Sequence, residues 1–304
     1  RAQIVMANAQ FPDEMLVALN KRDKRLHDVY RVNLKTGELK MDVENPGDIA
    51  DWNADNAMRV RGAYAMLAGG IQDVRVRESD SAPWKSLQKW GPDENLGGVA
   101  GFSPDNKAIW LISSVGANTS RLVETDLATA KEKVIASDPT YDVTTAITHP
   151  RTNKLEAVGF MRAKLEWQYF DDQLKQDMAI LQKVKDGEVN ISSRDLADKK
   201  WVVTYSAPDS PAQYYLYDRD TKKAEFLFAA RPKLTGYKLA KMQPISFMSR
   251  DNLKIEGYLT MPVGVTKNAP TVLLVHGGPW GRDSYGYSGL VQMLANRGYA
   301  VLQV

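Results

Sequence analysis

The residues in this chain whose types and spacing best suit chemistry are His276-Gly277-Gly278-Pro279. Backbone N–H groups beside glycines have no Cβ to obstruct them, so a ligand atom can approach closely. Two such donors aimed at one point stabilise a developing oxyanion, and removing one typically costs about 3 kcal/mol of transition-state stabilisation. The tetrapeptide holds two residues free to take positive φ, followed by a third locked near about −65°. The histidine offers two further readings: a ring that anchors the loop, or a base with no serine identifiable beside it.

Such a turn needs rigid neighbours, and the flanking sequence supplies them. Thr271-Val-Leu-Leu-Val275 is a short apolar run, expected to form a strand buried on both faces. After the turn, Tyr287, Leu290, Val291 and Leu294 stand at i, i+3, i+4 and i+7, which predicts a helix with those residues on its apolar face. Arg297 falls in its last turn and Gly298 just beyond it, the usual C-terminal signals. Tyr299–Val304 begins a second strand. Strand, glycine turn, helix and strand make one βαβ unit of a parallel sheet.

The stretch from Val275-His-Gly-Gly-Pro-Trp280 through Ala295-Asn-Arg-Gly-Tyr-Ala-Val-Leu-Gln-Val304 resembles the start of the catalytic domain of prolyl oligopeptidase family serine peptidases. The acylaminoacyl-peptidase-like branch is the nearest in pattern, because it carries His-Gly-Gly-Pro at the turn. The resemblance implies an α/β-hydrolase domain covered by a β-propeller, and hydrolysis of short peptides or acyl-amino acids through an acyl-enzyme. It implies that the Gly278 amide is one oxyanion donor, with His276, Gly277 and Pro279 shaping the loop. Trp280 and Arg282 follow the turn, where they can reach substrate or pack against the fold.

The resemblance places the Gly-x-Ser-x-Gly elbow, and the Asp and His that follow it, downstream of Val304. No triad residue is therefore assigned within this chain, which reads as part of an enzyme that is inactive alone. Its partners would be a peptide or acyl-peptide substrate and the remainder of the α/β-hydrolase domain, with a homo-oligomer left open. The nearest match to an elbow is Gly101-Phe-Ser-Pro-Asp105. It lacks the second glycine, and the proline after its serine has no amide to offer, so it reads as a turn. Two alternatives stand beside the peptidase: a carboxylesterase on the same fold, and a binding propeller without catalysis.

Composition narrows the remaining classes. Forty Lys and Arg against thirty-seven Asp and Glu give a net charge of +3, spread along the chain, which argues against nucleic acid. The absence of cysteine excludes disulfides and thiolate metal sites, but fits both cytoplasm and periplasm. No apolar run approaches the roughly eighteen residues of a membrane span. His27, His149 and His276 are not at metal-ligand spacing, and Asp171-Asp172 has no further ligand at calcium-loop spacing, so neither metal nor cofactor is expected. His149 reads as part of a turn and His27 as solvated.

From Arg1 to about Tyr237, short alternating runs are broken by polar turns, which predicts a mostly β region. Strands are expected at Met15–Leu19, Val29–Leu34, Tyr64–Leu67, Val74–Val76, Ala108–Ile112, Leu122–Thr125, Val202–Tyr205 and Tyr214–Tyr217. A repeat lies beneath them. Asn33-Leu-Lys-Thr36, Asp126-Leu-Ala-Thr129 and Asp218-Arg-Asp-Thr221 each end a strand, and their threonines stand 93 and 92 positions apart. Half that interval is roughly the 40–50 residues of a four-stranded propeller blade. About five blade-like units result, with intervening ones expected around Val74–Arg77 and Asp177–Val184. Lys164–Lys175 fits a helical insertion better than a strand. With Arg231–Met242 as linker, the division expected is a propeller over 1–238 and the beginning of the hydrolase domain over 239–304, opening with a hairpin around Ser249-Arg-Asp-Asn252.

Overall fold

In the blade region, alternation of buried and exposed side chains along short strands drives the chain into antiparallel meanders. A computed structural model of the chain describes residues 1–92, 96–278 and 281–304. It divides into two compact units, Arg1–Phe160 and Met161–Val304. Strand far outweighs helix, 49% to 8%, as the alternation requires.

In the first unit, β1 (Ala2–Ala7), β2 (Glu14–Asp23), β3 (Leu26–Asn33) and β4 (Leu39–Val43) form one four-stranded sheet in chain order. A second holds β5 (Ile49–Ala54), β6 (Val60–Met66), β7 (Gln72–Val76) and β8 (Lys85–Trp90), and a third β9 (Leu96–Phe102), β10 (Ala108–Ser113), β11 (Arg121–Asp126) and β12 (Glu132–Ala136). β13 (Val143–Thr148) and β14 (Leu155–Met161) then pair antiparallel. Consecutive sheets pack on one another through apolar side chains. Leu16, Val29 and Val43 meet Trp52, Val60 and Ala63. Val74, Val76 and Trp90 meet Phe102, Ile109 and Leu111, while Trp110 and Leu122 meet Val143 and Val158. These are blade-type sheets, matching the propeller expectation.

The repeated strand endings have one physical cause. Asn33 Oδ1 accepts from the amides of Lys35 and Thr36, Asp126 Oδ1 from Ala128 and Thr129, and Asp218 Oδ1 from Asp220 and Thr221. Each side chain closes the same turn between the third and fourth strand of a sheet. Between β13 and β14, His149 closes a similar turn with a ring nitrogen, its Nδ1 accepting from the amides of Arg151 and Thr152. His27, expected to be solvated, is instead half-buried at the start of β3, where its carbonyl accepts from Trp52 Nε1 at 2.8 Å.

The second unit opens with β15 (Leu165–Tyr169) and α1 (Asp172–Leu181). Two expectations change here. Leu165, Trp167 and Tyr169 alternate with polar residues, so Lys164–Lys175 begins as a strand and turns helical only after Asp171. Asp171 caps the helix, its Oδ1 accepting from the Leu174 amide at 2.7 Å. Asp177–Val184, expected within a blade, lies mostly in this helix.

The blade that follows holds β16 (Glu188–Arg194), β17 (Lys200–Ala207), β18 (Ser210–Asp218) and β19 (Lys223–Ala229). An ionic knot ties α1 to it. The fully buried Asp177 carboxylate accepts from Lys222 Nζ at 2.6 Å, Tyr217 Oη at 2.7 Å and Arg219 Nε at 2.8 Å. Arg219 also pairs with Asp198, and its guanidinium lies 4.6 Å from the centre of the buried Trp201 ring. Burial alone would raise the Asp177 pKa; the bonds from Lys222, Tyr217 and Arg219 outweigh it and hold the carboxyl below its ordinary value.

The last sheet is mixed. β20 (Met242–Met248) and β21 (Lys254–Thr260) form the expected hairpin, and β21 also pairs antiparallel with β23 (Ala300–Gln303). β22 (Thr271–Leu274) lies parallel to β23 at the sheet edge, joined to it through α2 (Gly289–Asn296). The βαβ unit is present. Ser288 caps α2 by accepting from the Val291 amide, and Gly298 ends it with φ +91°. The α2 face differs from the expected one: Tyr287 precedes the cap, Leu290 is exposed, and Val291, Gln292 and Ala295 are buried. Gln292 accepts from the Ala240 amide at 2.9 Å and donates to the carbonyls of Ala240 at 2.8 Å and Pro208 at 2.9 Å. Within this chain β22 pairs on one side, with β23.

Candidate functional site

β22 ends at Leu274, so Val275–Gly278 leaves the sheet at the carboxyl end of a parallel strand, where open α/β sheets present ligand sites. Pro279 and Trp280, two of the residues singled out from the sequence, lie outside the described residues. Gly277, free to take a positive φ, does not take one, and a Cβ there would meet nothing within 4 Å. The absence of a side chain therefore leaves open space beside this backbone instead of permitting an unusual dihedral.

The geometry fixes one peptide plane. His276 Nδ1 lies 2.8 Å from the Gly277 carbonyl oxygen. A carbonyl only accepts, so in this contact Nδ1 is the donor. Gly281 packs on the same oxygen: a Cβ at residue 281 would stand 2.7 Å from it and 3.0 Å from His276 Nδ1. The Gly277 carbonyl and the Gly278 N–H belong to one rigid peptide unit and point opposite ways. Holding the oxygen with His276 and Gly281 therefore sets the direction of the Gly278 donor. Sequence reasoning reached His276, Gly277 and Gly278, and missed Gly281, whose need for glycine comes from a contact four residues back.

Arg282 is exposed, and each of its three nitrogens donates to main chain. Nη1 donates to the Met161 carbonyl at 3.0 Å, Nη2 to Arg162 at 3.1 Å and Nε to Asp283 at 3.2 Å. The segment that receives it is held from other directions as well. Tyr258 on β21 donates to the Ala163 carbonyl at 2.8 Å, and Glu188 on β16 accepts from the Leu165 amide at 2.8 Å. Lys164 Nζ sits 4.2 Å from the centre of the Tyr285 ring. Burial raises the pKa of both Tyr258 and Glu188 above their ordinary values. Nothing local in the sequence announces these contacts, because Arg282 and its two distant acceptors are 120 and 121 positions apart.

No family model matches the chain. Over its whole length it is 37% identical, across 312 aligned residues, to dipeptidyl aminopeptidase BIII of Pseudoxanthomonas mexicana. The chain spans about half the length of the curated relatives it matches, 45% in each case. Its fold is that of a solved prolyl endopeptidase, with a TM-score of 0.64 and 15% identity, covering 99% of this chain and 46% of the other. An acylaminoacyl peptidase bound to a peptide chloromethyl ketone shares it at a TM-score of 0.53 and 17% identity, covering 99% of this chain and 57% of that one. Blade-type sheets, a βαβ unit with His-Gly-Gly at its turn and similarity along the entire chain converge: the chain resembles part of the peptidases of the prolyl oligopeptidase family, whose fold it shares.

Proposed function

We propose that this chain supplies the blades and the first βαβ unit of a peptidase that cleaves short peptides through an acyl-enzyme. In this reading the Gly278 N–H is one oxyanion donor, and the amide after the nucleophilic serine is the other. The serine, with its His and Asp, would lie in the remainder of the α/β-hydrolase domain, outside this chain. We divide the chain at 238/239, because the mixed sheet draws all its strands from Met242 onward.

The observation that carries the reading is the fixed Gly277–Gly278 peptide plane at the carboxyl end of β22. The whole-length similarity to a dipeptidyl aminopeptidase favours release of dipeptides over release of acyl-amino acids. The chemistry needs no metal: a base takes the serine proton, the serine oxygen attacks the carbonyl, and the amine leaves with the proton returned by that base.

The test uses the full-length protein. It should form a stoichiometric fluorophosphonate adduct on a serine beyond residue 304 and turn over a dipeptide anilide faster than an N-acyl amino acid anilide. Hydrolysis of a simple ester without either anilide would replace the peptidase reading with an esterase. Absence of any adduct would remove the catalytic reading altogether.

A further inference from the structure

We propose that Arg282 is a positioning residue for the oxyanion turn and not a substrate contact. This inference rests on the peptidase reading of that turn. An arginine waiting for a substrate carboxylate or carbonyl would keep its planar fork free. Here the fork is engaged: three of its nitrogens donate to the backbone carbonyls of Met161, Arg162 and Asp283.

The segment it grips suits an anchor. Met161–Leu165 is held at Ala163 by Tyr258, at Leu165 by Glu188 and beside Lys164 by Tyr285. Tyr258 itself is buried on β21, the strand that also pairs with β23 of the βαβ unit. Arg282 hooks the return limb of the turn onto this support. Its covalent neighbour Gly281 packs directly on the Gly277 carbonyl and on His276 Nδ1. One continuous path therefore runs from the Met161 and Arg162 carbonyls, through the guanidinium and Gly281, to the peptide plane that carries the Gly278 N–H. Loss of the hook leaves that donor free to tilt, and displacement of a catalytic group by about 1 Å can cost on the order of 10²-fold in rate.

The experiment compares wild type, Arg282→Ala and Arg282→Lys in the full-length protein, with a dipeptide anilide as substrate. Hydrogen exchange is followed in peptides covering 161–165 and 276–283. A positioning role lowers kcat of Arg282→Ala by about 10²-fold with KM within about twofold, and speeds exchange in both segments. Lysine, which lacks the planar fork, restores kcat only in part. A raised KM with kcat retained overturns the proposal in favour of substrate binding; unchanged exchange in both segments overturns it outright. If Arg282→Ala does not fold, Arg282→Lys is held to the same two criteria. If wild type turns over no peptide, the peptidase reading fails, while the exchange comparison still decides whether Arg282 holds the turn.

Discussion

Arg219 and Arg282 each fasten distant parts of the second unit, and they do it by different physics. Arg219 sits in a buried knot where the Asp177 and Asp198 carboxylates face Arg219 and Lys222. Arg282 lies at the surface and donates to neutral carbonyls. The first arrangement makes stability depend on every member, because removing one partner leaves another charge buried and uncompensated. The second costs little to break, since water can take over both the guanidinium and the carbonyls. Stability should therefore be concentrated at α1 and the blade, and geometric control at the turn. The difference separates what holds the unit together from what aims its donors.

The sharpest test removes the centre of the knot. Asp177→Ala should destabilise the protein by about 3 kcal/mol in denaturant unfolding. A loss below about 1 kcal/mol would break the contrast, showing that the knot contributes no more than a surface pair. Gly281→Ala probes the other side. A methyl group 2.7 Å from the Gly277 carbonyl must displace the turn, so kcat should fall by about 10–100-fold while stability changes by less than about 1 kcal/mol. Equal losses in stability and activity would erase the proposed division of labour.

Acid titration sharpens the same contrast. The Asp177 carboxyl is held below its ordinary value of 3.8 in the folded protein. Its contribution is present in full above pH 3.8 and is lost as pH falls below that, with a slope of at most about 1.4 kcal/mol per pH unit. Asp177→Asn should flatten this part of the stability profile. Asp218, held at about 2 by its hydrogen bond from Lys200, is too exposed to supply the same dependence. The smallest effect expected is that of Tyr258→Phe, which removes the donor to Ala163 and should cost about 1 kcal/mol. It should also speed hydrogen exchange at 161–165, and no change there would separate Tyr258 from the support of the turn.

What the sequence made legible was periodic or punctuated. The blade strands follow period-2 alternation, the Asn33, Asp126 and Asp218 turns recur at near-constant spacing, and Arg297-Gly298 marks the end of α2. The errors arose where composition stood in for environment. Leu165–Tyr169 was absorbed into a helix although its alternation pointed to a strand, and the Asp171 cap was the signal that divides the two. At the turn, His276, Gly277 and Gly278 were recognisable from their chemistry. Gly281 and Arg282 act through a close backbone approach and through carbonyls more than a hundred residues away, neither of which leaves a local pattern.

The buried side chain of Gln292 has a consequence for the order in which the fold assembles. It presents an acceptor and a donor to the Ala240 backbone in the way that a neighbouring strand would, supplying one rung of a ladder from a helix. A rung made by a side chain has no register to slide along, so it exists only when both segments have reached their final positions. The β20–β21 hairpin can close locally, whereas this rung must close a loop of 52 residues. The Gln292 side chain is accordingly a latch between α2 and the segment at Ala240, engaged only when both are in place.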